Sequence, residues 1–167
     1  METAIPAIII IGLLVLATLT LAEQSLSSQD AVSQSWREMQ ERLEERTRTD
    51  LSPIAAQTIN AGATVELTLR NDGDTKLADF DQWDVILQYG SGSGNAEWYP
   101  YGSGSDEWDV GGIYLDASEG TPEAFDPDIL NPGEEMVIWV WVSPPVGTHQ
   151  VIVAAPNGVT ASTVFTR

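Results

Sequence analysis

Cysteine is absent from this chain of 167 residues. Disulfides, thiol catalysis and zinc–thiolate sites are excluded with it. Histidine occurs once, at His149. A histidine-based triad or metal site would need partners that the sequence does not identify, so His149 is read as structural or merely exposed. Basic residues are scarce: 7 Lys and Arg stand against 25 Asp and Glu, for a net charge of −18. Nucleic acid is therefore not a partner, because phosphates are held by Lys and Arg. Anionic membrane surfaces are disfavoured for the same reason. No asparagine begins an N-x-Ser/Thr sequence: Asn60, Asn71, Asn95, Asn131 and Asn157 all fail it. A phosphate-cradling glycine motif is missing too, since "GSGSG" lacks the flanking strand, helix and Lys. Carboxylate pairs such as Asp126/Asp128 and Asp106/Asp109 are expected by chance on so acidic a chain. It is read as a non-enzyme.

The charge is unevenly spread. Residues 1–50 hold 4 basic and 8 acidic groups, and residues 51–167 hold 3 and 17. The chain is accordingly read as a helix over 1–50 and an acidic domain over 51–167. From Ala4 to Ala22 no residue is charged. As a helix that run is roughly 28 Å long, about one bilayer core. Glu2 stands where a secretory signal carries Lys or Arg, so a cleavable leader fits poorly. If a prepilin-type leader had carried the basic residues, Met1 would be the first mature residue.

Helical sequence continues beyond Ala22. Val32, Trp36, Met39 and Leu43 fall at spacings of 4, 3 and 4, a seam on one helical face. Glu41, Glu44 and Glu45 interleave with Arg42, Arg46 and Arg48, as on a solvated face. Asp50 and Pro53 end the pattern. Glu2–Thr47 could thus be one helix of about 70 Å. Gly12, Thr18 and Thr20 give small surfaces where helices approach closely. Two readings follow: a membrane anchor with a stalk, or a helix that leaves the membrane to pack with copies of itself.

From Thr58 the period changes to two. "TVELTLRND" alternates Val65, Leu67 and Leu69 with polar residues and ends in a turn at Asn71-Asp72-Gly73. "WDVILQY", "EWYPY", "GGIYLD", "EEMVIWVWV", "THQVIVAA" and "VTASTVFT" supply further strands. "EEMVIWVWV" is apolar on both faces, which places it centrally or against a neighbouring molecule. Some seven short strands with turn signals between them predict an antiparallel, Ig-like β-sandwich. The fold class is α+β: a long N-terminal hydrophobic helix, then the sandwich.

Acidic loops offer oxygen ligands for Ca²⁺ at "NDGD" (Asn71–Asp74), "SDEWD" (Ser105–Asp109) and "FDPD" (Phe125–Asp128), though none is an EF-hand loop. No other cofactor is indicated. Trp83, Trp98, Trp108, Trp139 and Trp141 exceed what one small core needs. The surplus suits a protein–protein contact, or alternatively a carbohydrate platform.

The uncharged helix, its amphipathic continuation, "LRNDGDTKLADFDQWDVILQY" and "LNPGEEMVIWVWV" together resemble archaellins and related archaeal type IV pilin-like proteins. Leu69–Tyr89 is similar to that family's "N-x-G-x-x-x-L" hairpin followed by an apolar strand. The resemblance implies a helical filament whose core is bundled helices and whose outer layer is sandwiches. It would place Ile5, Ile8, Ile9, Ile10, Ile11, Leu13, Leu14, Val15, Leu16, Leu19 and Leu21 in the filament core. Val32, Trp36, Met39 and Leu43 would join the helix to neighbours or to its own sandwich. One departure is Ile5, where bacterial-type pilins carry glutamate. The implied partners are identical subunits in a homopolymer, the membrane before assembly, and a filament assembly platform with its motor. The implied location is an extracellular filament, preceded by a membrane-inserted precursor. The alternatives are a membrane-anchored archaellum accessory or stator-type protein and an adhesive type IV pilin.

Overall fold

The computed structural model describes residues 4–90, 95–123 and 126–167, without the side chains of several helix residues before Gln29. The chain divides into two units, Met1–Leu43 and Glu44–Arg167.

One helix, α1, runs from Ala4 to Arg48, close to the expected Glu2–Thr47. Several of its hydroxyls bond its own backbone. The Thr18 hydroxyl donates to Val15 O at 2.9 Å and that of Thr20 to Ala17 O at 2.9 Å. Such back-bonding removes the cost of an unsatisfied hydroxyl in apolar surroundings. Among the described residues no helix is long and apolar enough to cross a membrane. The apolar run of Ala4–Ala22 lies partly outside the described side chains.

Among the described residues nine strands follow: β1 (Leu51–Ile59), β2 (Thr64–Asn71), β3 (Asp84–Tyr89), β4 (Ala96–Tyr99), β5 (Trp108–Asp116), β6 (Thr121–Pro122), β7 (Glu135–Val140), β8 (Thr148–Ala154) and β9 (Thr160–Thr166). They form two antiparallel sheets, β1-β2-β7-β5-β6 and β4-β3-β8-β9. The expected α+β class and sandwich of antiparallel strands stand. β7 is the middle strand of five, the first of the two placements its apolar faces allow. Between the sheets lie Val65, Leu67, Leu69, Val85, Leu87, Met136, Ile138, Val151 and Val153, each no more than 1% exposed.

Two elements differ from expectation. β1 was not anticipated, because Pro53 reads as a break. Pro53 in fact sits on an edge strand beside a bulge between Pro53 and Ala55, where a missing ladder N–H is tolerated. β5 begins three residues before the expected Gly111. Trp108, Asp109 and Val110 pair with Val140, Trp139 and Ile138, although acidic residues surround Trp108 in sequence. Trp108 is fully buried, so its burial outweighs the polar character of its neighbours.

Candidate functional site

The hairpin stretch Asn71–Leu77 is a socket for the last turn of α1. Asn71 is fully buried. Its Nδ2 donates to Thr75 O at 2.7 Å and Leu130 O at 3.1 Å, and its Oδ1 accepts from Gly73 N at 3.1 Å. Its backbone bonds both ways as well, N to Glu134 O at 3.0 Å and O from Gly133 N at 2.7 Å. Asn71 therefore satisfies five groups from three segments, each of which would be costly to bury unpaired.

Gly73 lies against the chain where α1 ends. A methyl group there would stand 2.5 Å from both Arg48 O and Asp50 N. These are backbone atoms that cannot give way, so only glycine fits. The close approach lets Asp74 N cap Arg48 O at 2.8 Å, while Asp72 N and Gly73 N bond Asp50 O at 2.9 and 3.2 Å. Helix-terminal carbonyls need such partners. Buried Thr49 closes the other side: its hydroxyl donates to Glu45 O at 2.8 Å and accepts Asn157 Nδ2 at 2.8 Å. Leu77, 6% exposed, bridges fully buried Leu130 through backbone bonds of 3.0 and 2.8 Å. In the N-x-G-x-x-x-L stretch, Asn71 thus fixes the turn, Gly73 admits the end of α1, and Leu77 ties the turn to Leu130.

Beyond the socket, the helix exposes its apolar side chains. Ile10, Leu13, Leu14, Val15, Leu16 and Leu19 are 56–66% exposed. The seam residues Val32, Trp36, Met39 and Leu43 are 46–59% exposed. Val32, Trp36 and Met39, with Ala31 and Ser35, line a shallow apolar depression. The side chains of Ile5, Ile8, Ile9, Ile11 and Leu21 lie outside the described residues.

The tryptophans of the sandwich separate into three groups. Trp83 and Trp108 are core, and Trp98 is 58% exposed on β4 with its Nε1 donating to Asp84 Oδ1 at 2.8 Å. Trp139 and Trp141 are half-buried, 5.9 Å apart edge to face. His149 is buried; its Nε2 donates to Pro145 O at 2.7 Å, and its ring packs between Tyr89 and Phe165. Tyr89 and Tyr99 share a 2.5 Å hydrogen bond, and burial pushes both phenols above their ordinary range.

The acidic loops are engaged individually. The Asp72 carboxyl pairs with Arg70 at 2.6 Å, Asp126 with Lys76 at 2.5 Å, and Glu107 accepts Gly104 N at 2.6 Å. Phe125 lies outside the described residues. Among the described residues no three His, Asp or Glu side chains converge as metal ligands.

No protein-family model matches the sequence, and no curated protein matches it. Solved structures do. The archaellum periplasmic stator protein FlaG from Sulfolobus acidocaldarius is similar at TM-score 0.54 and 23% identity, over 70% of this chain and 99% of that one. The archaeal flagellin FlaB1 from Methanocaldococcus jannaschii is similar at 0.53 and 13%, over 71% and 89%. The archaeal flagellum of Methanospirillum hungatei strain JF1 is similar at 0.55 and 13%, over 96% and 90%. In its fold the chain is similar both to archaeal flagellins and to an archaellum stator protein.

Proposed function

We propose that this chain is a structural subunit of an extracellular helical filament, an archaellum-like motility filament, without enzymatic activity. It polymerises through its N-terminal helix with identical copies. The observation that carries this reading is a helix whose described apolar side chains are exposed while the Thr18 and Thr20 hydroxyls bond the helix's own backbone. A likeness spanning 96% of this chain, helix included, to the subunit of an archaeal flagellum supports it.

The sequence of events follows from the physics. Ala4–Ala22 matches one bilayer core, so the membrane holds the helix before assembly. An assembly platform and its motor extract it into a bundle of copies at the cell surface. Burial there removes apolar surface from water at roughly 25 cal/mol per Å², so several hundred Å² per neighbour contributes many kcal/mol. Lost translational and side-chain freedom offsets part of this. The socket at Asn71–Leu77 joins the last helical turn firmly to the sandwich, and the acidic sandwich keeps neighbouring filaments apart.

Ile10→Asp is the test. Sheared cell-surface material viewed by negative-stain microscopy should hold filaments in the wild type and none in the variant, with the sandwich still folded. Normal filaments from Ile10→Asp would overturn the proposal. The second reading is a membrane-anchored stator-type protein. It is favoured by the higher identity to FlaG, 23% against 13% for the flagellins, and by the 99% of FlaG that is covered. Recovery of the chain solely from detergent-extracted membranes, never from sheared filaments, would establish that alternative.

A further inference from the structure

The outer face of the five-stranded sheet carries a groove of about 360 Å³. That volume lies toward the lower end of ligand clefts, roughly 300–1,000 Å³. It crosses β1, β2, β7 and β5, a span of about 14 Å at three strand spacings. Two bulges shape it, with Ile54 the extra residue on β1 and Gly111 on β5. A methyl group at Gly111 would stand 2.7, 2.9 and 3.0 Å from three atoms of the Trp139 indole. Such even spacing means that one face of the ring lies on the strand, while the ring also meets Trp141 edge to face and lines the groove.

The polar groups beside that ring are already fixed. Glu66 accepts Trp139 Nε1 at 3.0 Å and Gln57 Nε2 at 2.9 Å. Glu135 accepts Ala117 N at 2.9 Å, which holds the β5–β6 turn as the groove's far wall. Both carboxylates keep lone pairs for further donors, because each oxygen can accept more than one hydrogen bond. Held groups lose little freedom on binding.

These features select the ligand by chemistry. An anion would meet Glu66 and Glu135 on a chain of net charge −18. A metal ion would need a third ligand, and among the described residues no such group exists. An apolar protein segment would bury both carboxylates without donors, which is costly. A neutral sugar has an apolar C–H face for the indole and hydroxyls that donate to carboxylates. We propose that this groove binds a short neutral oligosaccharide, stacked on Trp139 and hydrogen-bonded to Glu66 and Glu135. The inference is independent of the filament reading, since a stator-type protein would carry the same face.

The full chain, in a detergent without a sugar headgroup, is titrated with maltotriose, mannotriose and triacetylchitotriose. Tryptophan fluorescence and saturation-transfer NMR read the binding. At least one trisaccharide should bind saturably, and Glu66→Gln should weaken it roughly tenfold or more. Thr68→Arg, which fills the groove from a partly exposed mid-strand position, should abolish binding with an unchanged circular dichroism spectrum. Trp98→Ala, on the opposite sheet, should leave binding intact. The proposal is overturned if none of the three sugars binds, if Thr68→Arg binds like the wild type, or if trigalacturonate binds as tightly as the neutral sugars.

Discussion

The helix and the sandwich treat the same kind of side chain in opposite ways. Leu67 and Leu69 on β2 are no more than 1% exposed, whereas Leu13, Leu14 and Leu16 on α1 are 60–66% exposed. The sandwich completes its core from its own strands. The helix bonds Thr18, Thr20 and Ser35 to its own backbone and exposes its described hydrocarbon. The difference teaches that the sandwich's packed core does not draw on the exposed side chains of the helix, so mutations can separate folding from the assembly proposed above.

Truncation inside and outside the core should test this division with the largest effect. Leu67→Ala removes a fully packed side chain and should cost about 3 kcal/mol, as core leucine truncations do. Leu14→Ala removes the same atoms from the exposed helix. It should leave urea unfolding of the sandwich within about 0.5 kcal/mol of wild type. Equal losses in the two variants would show that the helix shares the sandwich's core and would end the comparison.

The socket is where the two regions meet in sequence, and it comes next in magnitude. Asn71→Ala removes three side-chain hydrogen bonds and leaves Thr75 O without its partner, while Leu130 O and Gly73 N keep Leu77 N and Asp50 O; it should cost about 2 kcal/mol. Gly73→Ala places a methyl group against Arg48 O and Asp50 N and should cost about 2 kcal/mol, through displacement of the turn. Hydrogen exchange offers a sharper reading. In both variants protection of Asp74 N should fall before that of the β7 amides.

Much of this was legible in the sequence, and the parts that were not have physical reasons. The alternation along β2, the turn at Asn71-Asp72-Gly73 and the two apolar faces of β7 follow from patterning alone, whereas the change to strand comes at Leu51 and not at Thr58. β1 was hidden because Pro53 signals a break unless it is known to lie on an edge. The bulges at Ile54 and Gly111, and with them the groove, depend on pairing between strands distant in the chain, so no local pattern reports them. Trp139 was visible as a surplus aromatic, but its fixed orientation depends on Glu66 and Gln57. The buried state of His149 likewise follows from neighbours on other strands.

The seam gives a smaller effect that separates assembly from folding. Trp36→Ala should leave the unfolding midpoint of the sandwich unchanged, because Trp36 is 59% exposed. It should still raise the subunit concentration needed for filament growth roughly tenfold, as loss of an aromatic contact does. Sedimentation of filaments across a dilution series measures this. An unchanged critical concentration would remove Trp36 from the interface and confine helix contacts to the N-terminal run.

The smallest expected effect concerns charge on the sandwich surface. Arg70 donates to Asp72 and holds its carboxyl below the ordinary carboxylate range. A depressed folded pKa contributes stability that is present above the unfolded value and is lost as pH falls through the folded one. The pair is solvent-exposed, so screening keeps its contribution slight. The useful readout is therefore the titration itself. In a carboxyl-detected NMR titration the Asp72 midpoint should lie below that of a model aspartate, and Arg70→Gln should move it upward. An unmoved midpoint in Arg70→Gln would mean that the hydrogen bond from Ser52, also acting on Asp72, sets the shift instead.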